Sequence, residues 1–254
     1  MSAQGEGKLK PLKWYKNLAS RKGRLEAGAF LVEGERAIRQ VISSSPDSLI
    51  EILSAADSPP VFPGYPVRLL TESQINSISS TKTPQGIIGV VRPPAELYWD
   101  HLPDSPGPRI LLLEDVQDPG NVGTLIRTAA AFDYSGVILS GKCADPLSPK
   151  CVQSSAGTML SLWIRRADGY MGLVAALKQG GYTITAAELG GSEDLAPLRD
   201  EKLVLALGNE SSGLSEDILK TADHRLRIPV IREKAESLNV AACGAICIYL
   251  SARK

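Results

Sequence analysis

Residues 109–140 read RILLLEDVQDPGNVGTLIRTAAAFDYSGVILS, and the fold is decided here. The apolar run from Ile110 to Leu113 shows none of the alternation of a half-wet strand, so it predicts a parallel strand covered on both faces. The turn QDPGNVG (117–123) breaks the run, GTLIRTAAAF (123–132) predicts a helix, and SGVILS (135–140) predicts the next strand. Strand, helix and strand in roughly thirty residues make a βαβ unit. The alternation continues downstream through YMGLVAALKQGG (170–181), YTITAAE (182–188), KLVLALGNE (202–210), LSEDILKTA (214–222) and HRLRIPV (224–230). An Ala-rich helix, NVAACGAICIYLSARK (239–254), closes the chain. Such a pattern predicts an open, mostly parallel sheet, whose sites form at the carboxyl ends of its strands.

Upstream of this half lies RPPAELYWDHLPDSPGPR (92–109), whose five prolines forbid a continuous helix and mark a linker. The first half predicts a smaller mixed α/β unit. A helix over 11–28 precedes the strand AFLVEG (29–34) and the amphipathic helix GERAIRQVISS (34–44). Strands SLIEILSA (48–55) and PVRLL (66–70), a helix TESQINSISS (71–80) and an apolar strand GIIGVV (86–91) follow. The expected organisation is a first domain over 1–92, a linker over 93–108 and a second domain over 109–254.

The composition is that of a soluble globular protein, 43% hydrophobic and 22% charged, with 28 basic and 28 acidic residues among 254. No run approaches the roughly 18 apolar residues of a membrane span, and the polar start lacks a secretory signal, so a cytoplasmic location is expected. The cysteines Cys143, Cys151, Cys243 and Cys247 form no CxxC pair and have no nearby histidine at zinc-like spacing, which predicts small buried thiols and no metal. The zero net charge hides a basic start: Lys8, Lys10, Lys13, Lys16, Arg21, Lys22 and Arg24 stand against Glu6 alone in residues 1–24. Trp14 and Tyr15 lie among them, so this segment is either an RNA contact with stacking aromatics or a solvated basic helix whose aromatics pack inward.

Three polar, Gly-bearing loops leave the same predicted sheet edge. In the first, Asn121 can cap a helix that Gly123 opens, which puts Arg127 about one turn in, with no acidic partner at i±4. The second, GNESSGLSEDIL (208–219), places Glu210 at a strand end, with Ser215 as a cap and Glu216 and Asp217 in the first helical turn. The third, IPVIREKAESLNVAAC (228–243), sets Ser237 and Asn239 at the start of the last helix. Each alone reads as a turn or a cap.

Taken together, DPGNVGTLIRTAAAF, LALGNESSGLS and IPVIREKAESLNVAA resemble the three signature motifs of the SpoU (TrmH-like) RNA ribose methyltransferases of the SPOUT superfamily. ADPLSPKCVQSSAGTML (144–160) resembles the family segment between the first two. FLVEGERAI and TKTPQGIIGVV resemble the small L30e-like substrate-binding domain that many members carry. The resemblance implies an α/β fold: a C-terminal open parallel sheet with a trefoil knot, preceded by a small α/β L30e-like domain. It implies S-adenosylmethionine as cofactor, held by Ala187, Leu207, Gly208, Asn209, Ile228, Pro229, Leu238, Asn239 and Ala242. By motif position, Arg127, Asn121, Glu210, Ser237 and Asn239 match the family's catalytic set. Lys13, Lys16, Arg21, Arg24, Gln85 and Arg127 are the expected RNA contacts. A homodimer whose active site draws on both subunits is implied too.

The implied reaction is methyl transfer to a ribose 2′-hydroxyl. The donor is already activated, so the protein must align the oxygen and manage its proton. A guanidinium rarely gives up its proton, so Arg127 is expected to grip the adjacent phosphate, with that phosphate or Glu210 receiving the proton. The chain departs from the family pattern between Ile228 and Ser237, where the loop is about one residue longer and lacks the usual Gly. It also has Ser211 and Ser212 where a Gly is common. The separate first domain favours 23S ribosomal RNA as substrate; transfer RNA, or a non-catalytic RNA-binding role on the same fold, are the alternatives. A dinucleotide-dependent oxidoreductase is excluded because no GxGxxG follows any strand.

Overall fold

The computed structural model describes residues 10–55, 62–231, 233–234 and 236–252, so Lys8 and part of the third loop lie outside the described residues. The first stretch is two short helices rather than one: α1 (Leu12–Asn17) and α2 (Arg21–Ala27). Ser20 breaks them by adopting extended backbone and accepting the Gly23 N–H at 3.0 Å, which starts a new helix. A Cβ on Gly23 would lie 2.0 Å from the Asn17 carbonyl oxygen, so the tight corner needs this glycine.

Strand β1 (Phe30–Glu33), helix α3 (Glu35–Ser44), strands β2 (Leu49–Ala55) and β3 (Val67–Leu70), helix α4 (Glu72–Ile78) and strand β4 (Ile87–Val91) follow. Within the described residues they form a four-stranded sheet in the order β1-β4-β2-β3, parallel only between β2 and β3. Thr71 and Gln74 form a reciprocal capping box at the start of α4.

The second half runs β5 (Arg109–Leu113), α5 (Pro119–Ala131), β6 (Gly136–Ser140), α6 (Pro149–Ser155), β7 (Trp163–Ala167), α7 (Tyr170–Gln179), β8 (Thr183–Ser192), β9 (Leu203–Leu207), α8 (Glu216–Thr221), β10 (His224–Leu226) and α9 (Val240–Ala252). Its sheet has the order β10-β8-β9-β5-β6-β7 and is parallel at every pairing. Ile110 to Leu113 are wholly buried, as their unbroken apolar run requires.

Helix α5 begins earlier than its sequence suggests. Asp118, not Asn121, is its cap: the Asp118 side chain accepts the Asn121 N–H at 2.8 Å, with Pro119 at the first helical position. Arg127 therefore sits about two turns into the helix rather than one. Gly123 is an interior residue. A Cβ there would lie 2.3 Å from the Cys151 carbonyl oxygen, so its role is to let α5 and α6 approach closely.

Edge strand β7 and helix α6 are not evident from periodicity. In β7 the buried Arg165 donates to the His101 carbonyl at 2.9 Å and pairs with Glu96, and the Arg166 N–H bonds the Leu97 carbonyl at 2.7 Å. The Pro-rich segment thus lies along β7 and covers an otherwise open sheet edge.

The two halves share one core, in which Phe30, Val32 and Ile38 join a cluster containing Leu113, Val122 and Val152. The Arg24–Asp145 pair at 2.6 Å and the Ser44–Ser161 hydroxyl contact at 2.7 Å tie them further. Cys143, Cys151 and Cys247 are buried and Cys243 is half-buried, all as free thiols.

Candidate active site

The pairing of Leu113 with Leu207 brings the carboxyl ends of β5 and β9 side by side, and the Glu114 N–H bonds the Leu207 carbonyl at 2.9 Å. The two residues after β5 then clamp the loop after β9 at both ends. Asp115 has φ +56°, and its carbonyl accepts the Asn209 side-chain amide at 2.8 Å. Glu114, 4% exposed, accepts the Ser215 N–H at 2.6 Å, the Ser215 hydroxyl at 2.7 Å and the Tyr170 hydroxyl. Burial, and then the Glu114 carboxylate, push the Tyr170 phenol well above its ordinary value. Ser215 also caps α8 by accepting the Ile218 N–H at 3.3 Å, as its sequence context suggests.

Inside the clamp, Asn209 Oδ1 accepts the N–H groups of Ser211 at 2.9 Å and Ser212 at 3.1 Å, while the Asn209 and Gly213 backbones exchange two bonds of 3.0 Å. A Cβ on Gly208 would lie 2.3 Å from the Gly213 carbonyl carbon, so the loop folds back only because residue 208 is glycine. The backbones of Ser211 and Ser212 thus supply the N–H groups that hold Asn209.

This rigid loop delivers Glu210 to the two other loops. Asn121 donates its side-chain N–H to Glu210 Oε1 at 2.9 Å, and Asn239 donates to Asn121 Oδ1 at 3.2 Å. Asn239 in turn caps α9, accepting the Ala241 and Ala242 N–H groups at 2.9 and 3.3 Å. Asn121 thus joins two residues lying 89 and 118 positions further along the sequence into one chain, Glu210–Asn121–Asn239. Arg127 is not part of it. It stands on the exposed side of α5, with no ion pair among the described residues. Ser237 is exposed at the mouth of the adjoining cleft.

That cleft has a volume of about 360 Å³ and lies among the ends of β8, β9 and β10 and the start of α9. Of the expected donor residues, Ala187, Leu207, Gly208, Asn209, Ile228 and Leu238 line it, together with Glu210 and Ser237. Pro229, Asn239 and Ala242 flank it without forming its wall. Sequence reasoning missed Glu188, Leu189, Gly190, Val230 and Cys243, which also line it. The signal was the Gly190–Gly191 pair beyond YTITAAE: β8 continues to Ser192, and a Cβ on Gly191 would lie 2.6 Å from the Leu226 carbonyl carbon. The chemistry suits S-adenosylmethionine. Leu207, Ile228 and Leu238 offer apolar wall to an adenine, the glycines leave backbone open to close approach, and Glu210 brings negative charge to a cationic ligand, while Glu188 is paired with Arg225 at 3.5 Å.

Among the expected RNA contacts, Lys13, Lys16, Arg21 and Gln85 are exposed. Arg24 is not available to RNA: it is 5% exposed, and it donates to the carbonyls of Leu18 and Ala19, each at 2.9 Å, as well as to Asp145. Nor do the aromatics of this segment stand ready to stack. Tyr15 is wholly buried and donates to Glu51 at 2.9 Å, its phenol pushed up to about 12 by burial and by that carboxylate, while Trp14 packs edge-on against it.

A parallel α/β sheet with a glycine-cradled cleft and a polar relay at its carboxyl edge defines an enzyme that binds a nucleoside-like cofactor. Comparison with known proteins narrows the class. The profile of the SpoU rRNA Methylase family matches residues 108–249, and that of the MRM3-like substrate binding domain matches residues 10–89. The chain is 32% identical over 247 residues to the 23S rRNA (guanosine(2553)-2′-O)-methyltransferase RlmP of Bacillus subtilis, covering 95% of this chain and 96% of that one. It superimposes with a TM-score of 0.81 on the SpoU methyltransferase AviRb from Streptomyces viridochromogenes in complex with AdoMet, at 25% identity over 97% and 98% of the two chains. The AdoMet-bound rRNA methyltransferase from Sinorhizobium meliloti gives a TM-score of 0.79 at 28% identity, covering 94% and 93%. The chain belongs to the SpoU rRNA methylase family.

Proposed function

We propose that this protein transfers a methyl group from S-adenosylmethionine to a ribose 2′-hydroxyl of 23S ribosomal RNA. The observation that carries the reading is the Glu210–Asn121–Asn239 relay at the mouth of the cleft where the expected donor residues converge. The 23S rRNA (guanosine(2553)-2′-O)-methyltransferase RlmP, matched along nearly its whole length, supports ribosomal rather than transfer RNA.

When bound, the cofactor supplies a sulfonium methyl already activated for displacement. The protein's task is then alignment and proton handling. Asn121 occupies Glu210 Oε1, which fixes the carboxylate at the cleft mouth and leaves its other oxygen to take the proton of the 2′-hydroxyl. Asn239 fixes Asn121 and, through the start of α9, the wall carrying Leu238. Ser237 orients the ribose. Arg127, free of any ion pair among the described residues, grips the neighbouring phosphate as a planar fork.

Arg127 stands apart from the relay, which suits a homodimer in which it serves the partner's site. Helix α9 supports that assembly, being apolar nearly all round yet leaving Ile246 38% and Tyr249 44% exposed. The chain between β9 and α9 is assigned a trefoil knot, and the domains run 1–92 and 109–254, joined by 93–108. No helix among the described residues is long and apolar enough to cross a membrane, and a ribosomal RNA substrate supports a cytoplasmic location.

The test is incubation of the purified protein with tritiated S-adenosylmethionine and total RNA from a methylation-deficient host, beside Arg127→Ala. Label in the 23S fraction that disappears with the variant supports the reading. Label confined to transfer RNA overturns the substrate, and no label in any RNA despite donor binding overturns the activity.

A further inference from the structure

A second cleft, of about 290 Å³, opens between the two domains. One wall is the β1–α3 turn with the 80–85 loop, and the other is α6, through Pro149, Val152 and Gln153. Among the described residues Glu33 brings the only carboxylate to its lining, and both oxygens are occupied. Oε1 accepts the Ser80 N–H at 2.8 Å and the Ser80 hydroxyl at 2.6 Å, while Oε2 accepts the Thr81 hydroxyl at 3.2 Å and that of Ser79. What remains for a ligand is a pair of neutral, bifunctional amides beside the exposed Arg36. The side-chain amides of Gln85 and Gln153 are exposed and make no hydrogen bond among the described residues, and Val32, Ala37 and Val152 supply apolar wall.

Gly34 has φ +92°, a conformation that favours glycine, and the Gln85 amide lies across this turn, its Oε1 2.7 Å from the position a Cβ would take. Two free amides over an apolar floor match the flat face and hydrogen-bonding edge of a nucleobase, whereas a phosphate would need the cationic lining that Arg36 alone does not provide.

Helix α6 connects this cleft to the active site. It is about 10 Å long at 1.5 Å per residue. It presents Pro149, Val152 and Gln153 to the cleft, and Lys150, three residues before Gln153 and so about 4.5 Å away along the axis, has its Cε 3.7 Å from the position of a Cβ on Gly120, which directly precedes Asn121. Lys150 is exposed and has no acidic partner among the described residues.

We infer that the interdomain cleft takes one unpaired nucleobase flanking the target nucleotide of the RNA substrate, with Gln85 and Gln153 reading its edge. Lys150 holds a phosphate of the strand running from there to Asn121. The inference rests on the RNA-methylating reading above, and the experiment separates the two. Purified 23S ribosomal RNA carrying 4-thiouridine is irradiated with the full-length protein without donor, and crosslinked peptides are mapped; affinity is measured in parallel by filter binding. Crosslinks are expected within residues 80–85 and 149–156. Gln85→Ala with Gln153→Ala, and separately Lys150→Ala, should each weaken RNA binding about tenfold, equivalent to about 1.4 kcal/mol. Donor affinity and melting temperature should stay unchanged, because all three side chains are exposed. RNA affinity unmoved by these substitutions, or crosslinks only elsewhere, overturns the inference. Crosslinking here by a protein that methylates no RNA keeps the cleft and overturns the activity instead.

Discussion

Replacing Arg24 tests whether a cation in a basic segment serves the fold or the RNA. Arg24 of α2 pairs with Asp145 of the second half at 2.6 Å, with side-chain exposures of 5% and 13%. Asp145 is held by a further bond, its Oδ1 accepting the Leu147 N–H at 2.9 Å. Arg24→Met keeps most of the buried stem but strands the Asp145 carboxylate and two carbonyls. Breaking one side of a buried pair costs about 3–5 kcal/mol. For a chain of this size each kcal/mol moves the melting temperature by roughly 2–4 °C, so a fall on the order of 10 °C is expected by calorimetry. Asp145→Asn in the same chain retains an acceptor for Leu147 and removes the stranded charge, so the double variant should recover a good part of the loss. RNA affinity, measured well below the melting temperature, should not change. A variant that melts with the wild type yet binds RNA more weakly would refute the structural role and return Arg24 to the RNA surface.

Three further outcomes follow from local geometry. Asp115→Gly should leave donor affinity close to wild type, because glycine accepts φ +56° and still offers its carbonyl to Asn209; Asp115→Ala should lose roughly 1 kcal/mol to left-handed strain and raise the donor Kd, read by isothermal titration calorimetry. Glu210→Gln should lower kcat about 10²–10⁴-fold while donor binding persists, and equal turnover would remove Glu210 as proton acceptor. Tyr134, 3% exposed and bonded to Ser251 at 2.9 Å, has its phenol pushed up from 10.0 to about 12 by burial. Its contribution, on the order of 2–3 kcal/mol, is fully present below pH 10 and is lost as pH rises through about 12, so Tyr134→Phe should flatten the decline of melting temperature across that window.

What was legible in the sequence is what depends on neighbours along the chain. The unbroken apolar run of β5, the capping signal at Ser215, and the strand–helix alternation are local, and each appears where its residues predict it. The misplaced start of α5 is a competition between two good caps: Asp118 and Asn121 both qualify, and Pro119 decides it by fixing the first helical position. Strand β7 is not evident in the sequence because two adjacent arginines, Arg165 and Arg166, interrupt its apolar pattern. Arg165 is buried only because Glu96 and the His101 carbonyl, some 60–70 residues upstream, satisfy its guanidinium. Arg24 was misread for the same reason, its partner Asp145 lying 121 residues away. The relay of Glu210, Asn121 and Asn239 has no spacing that betrays it. The resemblance to known motifs marked these residues, while the clamp by Glu114 and Asp115 that positions Glu210 became visible only in three dimensions.

The most direct test of the account is the chemical position of the transferred methyl group. RNA labelled by the protein with tritiated S-adenosylmethionine is hydrolysed in alkali, which cleaves only where a free 2′-hydroxyl can attack its own phosphate. Methylation of a ribose 2′-oxygen predicts that the label is recovered in alkali-resistant dinucleotides derived from 23S ribosomal RNA. Recovery of the label in mononucleotides, on a base, would contradict the assignment of the ribose oxygen as the acceptor aligned at Glu210, Asn121 and Asn239.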